Sequence, residues 1–162
     1  MKASLLIGLL ASALIASAEE TDTHGKSSER LIDLNTESFD QTVIDPKTNM
    51  LVGGPWLIMF FAPWCGHCKR LMPTFDQFAE EFGDGQALNV GRVNCDEGSN
   101  NNLCTAYDVA GFPTVLFIQG DYFYEYRGER SVAGFKKFVF EGGFEQAESD
   151  HIPVKLEGMA LY

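Results

Sequence analysis

Two cysteines separated by two residues, in Ala62-Pro63-Trp64-Cys65-Gly66-His67-Cys68-Lys69, are the residues of this chain best suited to chemistry. A pair at that spacing can pass two electrons to another protein's disulfide and take them back, which makes dithiol–disulfide exchange the leading expectation. The motif follows the apolar run Trp56 to Phe61 and opens a segment of helical periodicity, so Cys65 is expected at a helix N-terminus. Unpaired N–H groups and the helix dipole make that first turn electropositive, and the thiolate they favour is the species that attacks sulfur.

The other two cysteines, Cys95 and Cys104, flank the polar stretch Asp96 to Asn102. An even count in a disulfide-permitting compartment suggests two pairs, although sequence alone allows three connectivities. A Cys95–Cys104 bridge would close a short loop and serve stability. A four-cysteine zinc site is the competing reading, disfavoured because the second pair has eight intervening residues where a zinc ribbon has two close-spaced pairs.

The elements that must position these residues alternate. Arg30 to Leu34 reads as a strand, and Asn35 caps a helix through about Ile44 with Phe39 and Val43 on one face. Turn formers fill 45–55, and Trp56 to Phe61 then reads as a central strand buried on both faces. Cys65 to Phe82 is a helix interrupted at Pro73, with Phe75, Phe78 and Phe82 on its core face. Leu88 to Asn94 is the next strand, and Ser99 to Tyr107 a short helix with Ser99 or an adjacent Asn as cap. Val115 to Ile118 and Tyr122 to Tyr126 form an antiparallel hairpin, and Ser131 to Phe140 a closing helix burying Phe135, Phe138 and Val139. This order implies an α/β fold with a mixed central sheet flanked by helices on both faces.

The first 18 residues stand apart. Lys2, the apolar run Ala3 to Ala16 and the small residues Ala16-Ser17-Ala18 before Glu19 fit a secretory signal peptide, too short for the roughly 20 apolar residues of a membrane span. Taking them away removes one lysine and no acid, so the net charge of −11 becomes −12 over 144 residues. That length holds one domain, and no later window is apolar enough to span a membrane. The acidity disfavours nucleic acid and anionic membranes as partners. Residues 19–29 read as a flexible lead-in, 30–143 as the folded domain and 144–162 as a partly ordered tail.

Taken together, Trp-Cys-Gly-His-Cys-Lys after a hydrophobic strand, Pro73 five residues past Cys68, Gly-Phe-Pro-Thr at 111–114 and Tyr-Arg-Gly-Glu-Arg at 126–130 resemble a catalytic domain of the protein disulfide isomerase family. The resemblance runs from about Leu31 to Gly143 and implies the thioredoxin fold. It implies Cys65 as the nucleophile, Cys68 as the buried resolving cysteine and Pro113 as a cis-proline facing them, where the backbone of Phe112 would pair with an extended substrate. Trp64 would shield the sulfurs and offer an apolar platform, or simply pack. His67 would add positive charge favouring the Cys65 thiolate, against the alternative of a solvated loop imidazole. Arg130 resembles the arginine that family members bring toward the active site to lower the second cysteine's pKa; otherwise it is a surface arginine.

At one position the chain departs from the pattern. Six residues before Cys65, where thioredoxins carry a buried Asp and isomerase domains a Glu, stands Met59, which cannot accept the proton from Cys68. Slower resolution by Cys68 is expected.

The expected function is thiol–disulfide oxidoreductase or isomerase activity on unfolded or folding secretory clients, with an upstream thiol oxidase or glutathione as redox partner. No cofactor is expected beyond the redox-active Cys65–Cys68 disulfide, and no metal. The chain shows no Lys-Asp-Glu-Leu-like ending, so the expected location is the endoplasmic reticulum lumen or outside the cell. Two other classes compete: a low-turnover escort or chaperone docking clients over Trp64 and Pro113, and a structural module.

Overall fold

A computed structural model gives the fold and describes residues 27–85 and 87–153. The expected signal segment 1–18 lies outside the described residues. Of the lead-in, residues 27–29 are described, and Ser27 and Ser28 bond the carboxylates of Asp76 and Glu80.

The chain runs β1 (Leu31–Leu34), α1 (Thr36–Thr42), β2 (Trp56–Phe61), α2 (Gly66–Phe82), β3 (Asn89–Asn94), α3 (Asn101–Ala106), β4 (Thr114–Gln119), β5 (Tyr122–Glu125), α4 (Val132–Phe140) and β6 (Ser149–His151). These strands form one mixed sheet in the order β1-β3-β2-β4-β5-β6. β2 pairs in parallel with β3 and antiparallel with β4, so it is central, as its unbroken apolar run requires. Its alternate side chains feed two cores. Trp56, Ile58 and Phe60 pack with Phe39 and Val43 near α1 and with Leu103 and Tyr107 near α3. Leu57 and Met59 pack with Leu71, Phe75 and Phe78 of α2 and with Phe135 and Phe138 of α4. Each fully buried side chain of this size stabilises the fold by roughly 1.5–3 kcal/mol. Phe75 and Phe135 meet edge to face at 5.6 Å, which ties α2 to α4.

α1 begins with the reciprocal cap expected of Asn35: its side chain accepts from Ser38 N–H, and the Asn35 N–H donates to Ser38 Oγ. α2 continues through Pro73 as one helix, the missing proline N–H leaving the Lys69 carbonyl without its helical donor. The helix expected over Ser99 to Tyr107 is divided, with a 3₁₀ turn at Gly98–Asn100 before α3. Asn100, available by sequence as its cap, makes no capping bond. Fully buried, it instead donates to the Asn94 carbonyl at 2.9 Å and accepts from Thr36 N–H at 2.9 Å, so two distant backbone groups outcompete the local one.

Cys95 and Cys104 are joined by a disulfide across a Cα separation of 6.1 Å. Two of the four sulfurs are thereby bonded to each other, and Cys65 and Cys68 are the free ones. Closing so short a loop stabilises the domain by about 2.5–3 kcal/mol through the entropy of the unfolded chain. Where the segment read as tail begins, Gly143–Gln146 turns, and within it Ser149–His151 returns as β6 beside β5, with Ile152 buried in the core.

Candidate active site

The site forms where β2 ends. Buried Ala62 carries the chain out of the sheet, and its carbonyl accepts the N–H of Cys65 at 3.0 Å, closing a tight turn. Cys65 is the N-cap of α2: its extended backbone stands just before the helix, and its sulfur accepts the N–H of Cys68 at 3.3 Å. The side chain expected to act as nucleophile therefore occupies the place where a serine or aspartate ordinarily satisfies the first turn. A sulfur there is stabilised as an anion by the same N–H groups.

From the other side comes the segment before β4. The Phe112–Pro113 peptide bond is cis, and the Phe112 carbonyl accepts from Cys65 Sγ at 3.5 Å. Thr114 Oγ1 donates to the Gly111 carbonyl at 2.8 Å and fixes this loop. Ala62, Cys65 and Cys68 form a small apolar nest with Phe61 and Phe112 against it.

The two sulfurs, both free thiols, differ in setting. Cys65 is 7% exposed and Cys68 only 1%. Burial pushes the Cys65 thiol up, but hydrogen bonds from the Cys68 thiol and from the Cys68 and His67 N–H groups, with the charge of Arg130, outweigh it and leave Cys65 below the ordinary thiol range. Cys68 is pushed up to about 11, first by burial and then by its hydrogen bond to Cys65 and the Cys65 charge, while the Ala62 backbone and Arg130 pull the other way. One thiol is poised to attack and the other is held protonated. Since only the thiolate alkylates, Cys65 should react with iodoacetamide to a lower pH than an unperturbed cysteine, and Cys68 only as pH approaches about 11. Rate against pH with peptide mapping checks both; a single midpoint near 8.5 for the two thiols would contradict the arrangement.

The remaining residues singled out in the sequence fall around this pair. His67 is exposed, and its backbone N–H is what reaches the Cys65 sulfur. Arg130 is exposed on the loop between β5 and α4, and its charge acts on both thiols. Trp64 is 67% exposed, and its ring meets Phe112 edge-on at 6.0 Å. Sequence reasoning missed what holds it: the indole N–H donates to Asp96 at 2.9 Å. The one local hint was an acid directly after Cys95. Met59 is fully buried on the sheet face that α2 covers. Opposite it in register on β3 is Arg92, which binds both carboxylate oxygens of Asp33 at 2.5 and 3.1 Å and places Nη1 3.3 Å from the Met72 sulfur.

A groove of about 570 Å³ leads away from Pro113 and Thr114 toward β6, with Asp108, Glu125, Glu148 and Asp150 along it. Among the described residues, no helix is long and apolar enough to cross a membrane.

Comparison with known proteins agrees with this geometry. The thioredoxin family model matches residues 30–141. The chain is 36% identical over 90 residues to protein disulfide-isomerase 1 of Dictyostelium discoideum, covering 56% of this chain and 23% of that protein. It is 32% identical over 156 residues to the thioredoxin domain-containing protein 5 homolog of Drosophila melanogaster, covering 93% of this chain and 35% of the other. The chain thus spans about a third or less of these relatives' lengths. Among solved structures it is similar to the first thioredoxin domain of mouse protein disulfide-isomerase A4, with a TM-score of 0.58 and 28% identity, covering 79% of this chain and 86% of that one.

Proposed function

Since this chain belongs to the thioredoxin family and is a domain of the protein disulfide isomerase kind, we propose that it exchanges disulfides with client proteins in the secretory pathway through Cys65 and Cys68. The observation that carries this is the asymmetry of the pair: a lowered thiol at the cap of α2 facing Phe112 and Pro113, and a raised, buried thiol one turn behind it.

The Cys65 thiolate attacks one sulfur of a client disulfide. A new sulfur–sulfur bond forms to Cys65, the client bond breaks, and the client's other sulfur leaves as a thiolate that takes up a proton. Cys68 then gives up its proton, attacks the Cys65 sulfur and expels the client's remaining sulfur. The client has gained two electrons and the Cys65–Cys68 pair has lost them. Run backward, the same steps oxidise a client dithiol, and a thiol oxidase or glutathione disulfide resets the pair. Trp64 offers an apolar platform for the arriving chain and the backbone at Phe112 its pairing groups. Arg130 favours the Cys68 thiolate when release is due. The leader-like residues 1–18 support a secretory address.

The reduction potential of the pair against glutathione, with alkylation and mass spectrometry assigning the sulfurs, tests this reading. Thiolate stabilisation favours the reduced enzyme, so a value near −180 mV is expected. A value near −270 mV, about 4 kcal/mol away, would make the protein a reductase and overturn client oxidation.

A further inference from the structure

An exposed arginine is useful to a buried thiol only if something holds its backbone in place, and the loop that carries Arg130 is held in an unusual way. It leaves β5 at Tyr126, whose N–H donates to the Val115 carbonyl at 2.8 Å, and enters α4 at its N-cap Ser131. Between them the chain arches over the Tyr126 ring. That ring packs against Phe135 and Phe138 of α4, both at 4.9 Å. Its hydroxyl donates to the carbonyl of Glu129, the residue before Arg130. The same carbonyl accepts the Ser131 N–H at 2.8 Å, so both peptide links around Arg130 converge on one oxygen.

Two glycines make room for this. A Cβ on Gly128 would lie 2.7 Å from the Tyr126 ring, and one on Gly134 would run into both the Tyr126 hydroxyl and the Glu129 carbonyl. The far end of the loop is tied separately, by Arg127 bridging Glu125 at 2.8 Å and Glu148 at 3.0 Å. The charge that acts on the phenol is that of Glu129, while Lys137 and Glu141 of α4 line the same surface hollow as Tyr126. Burial first, then the Glu129 charge, raise the phenol's pKa, so the hydroxyl stays a donor through the working range.

We propose that Tyr126 is a positioning residue for Arg130: by fixing the Glu129 peptide it sets where the guanidinium stands relative to the dithiol, and so how fast Cys68 releases a bound client. This rests on the role given to Arg130 above. Tyr126 itself does not touch the sulfurs in this account. Its hydroxyl acts at one remove, and its effect must therefore vanish when Arg130 is absent.

The test is a double-mutant cycle on the full chain, with Tyr126→Phe, Arg130→Ala and the two combined. The readout is the rate at which a model peptide disulfide-linked to Cys65 is released, followed from pH 6 to 10, with urea unfolding of each variant beside it. Tyr126→Phe should slow release below pH 9 by between about threefold and tenfold and move the profile up by about half a pH unit to one unit. Arg130→Ala should do at least as much, and the double variant no more than Arg130→Ala alone. Should Tyr126→Phe fail to fold, Tyr126→Met, which also removes the donor and adds no atom against the Glu129 carbonyl, is read instead. An unchanged profile in the tyrosine variant, or an equal loss with and without Arg130, overturns the proposal. Failure of the functional reading looks different: the wild-type chain would then form no mixed disulfide at Cys65 at all.

Discussion

With Cys68 replaced by Ser, the protein should stall as covalent mixed disulfides with its clients, all linked through Cys65, and turnover should fall by on the order of a hundredfold or more. The intact pair resolves by an intramolecular attack whose effective concentration far exceeds any free thiol available to substitute. Cys68, whose sulfur would have attacked, lies in the first turn of α2, and its backbone N–H donates to the Cys65 sulfur at 3.3 Å. Non-reducing electrophoresis of a client mixture, with and without dithiothreitol, reads the outcome. Cys68→Ala is the companion variant, since it places no hydroxyl in a position only 1% exposed. Replacing both cysteines should leave no covalent species. If client folding were then still promoted to the same extent, the escort reading would replace the enzymatic one.

The second large effect concerns the buried position where a carboxylate would ordinarily take the resolving proton. In the mixed disulfide the Cys65 charge is gone, but burial, the largest cause raising the Cys68 thiol, remains, so a group that accepts its proton should speed release. Met59→Glu should speed release of mixed disulfides at pH 7 by about tenfold or more and flatten its dependence on pH from 6 to 9, because a general base typically contributes a factor of 10² to 10⁴. Arg92, on the neighbouring strand in register and on the same face, offers the new acid a partner, in competition with Asp33. The substitution should still lower stability by about 2 kcal/mol, as the side chain now leaving water is polar and its neighbours include Leu57, Leu71, Phe75 and Val115. Met59→Gln keeps the size and polarity without the proton acceptor and should not accelerate release. No change in rate with Glu across pH 6 to 9 would sink this account of slow resolution.

Much of the fold was legible because its strongest signals are local. The six-residue apolar run of β2 has only one stable place in such a sheet, the centre. Phe75 and Phe78 on α2, and Phe135 and Phe138 on α4, recur at helical spacing because one face of each helix is covered. The position of Cys65 at a helix cap followed from where the apolar strand stopped. What was not legible depends on partners far along the chain. β6 consists of Ser149, Asp150 and His151, all exposed, and is held by backbone pairing to Tyr122–Tyr124, which leaves no alternation to detect. The Trp64–Asp96 bond spans 32 residues and the Arg92–Asp33 pair 59, distances at which no periodicity carries information. Asn100 was readable as a cap from its neighbours and lost that role to Thr36 and Asn94.

The disulfide between Cys95 and Cys104 has a further consequence for how the protein comes to exist. The loop it closes begins with Asp96, which grips Trp64 beside the nucleophile. A newly made chain carries all four sulfurs reduced, and two electrons must leave one particular pair before that loop is locked, while the other pair must remain free to cycle. Of the three ways to join four sulfurs in two pairs, only one keeps Cys65 and Cys68 together beside the Cys95–Cys104 bridge. On the function proposed, the protein would itself pass once through the kind of exchange it then performs for its clients.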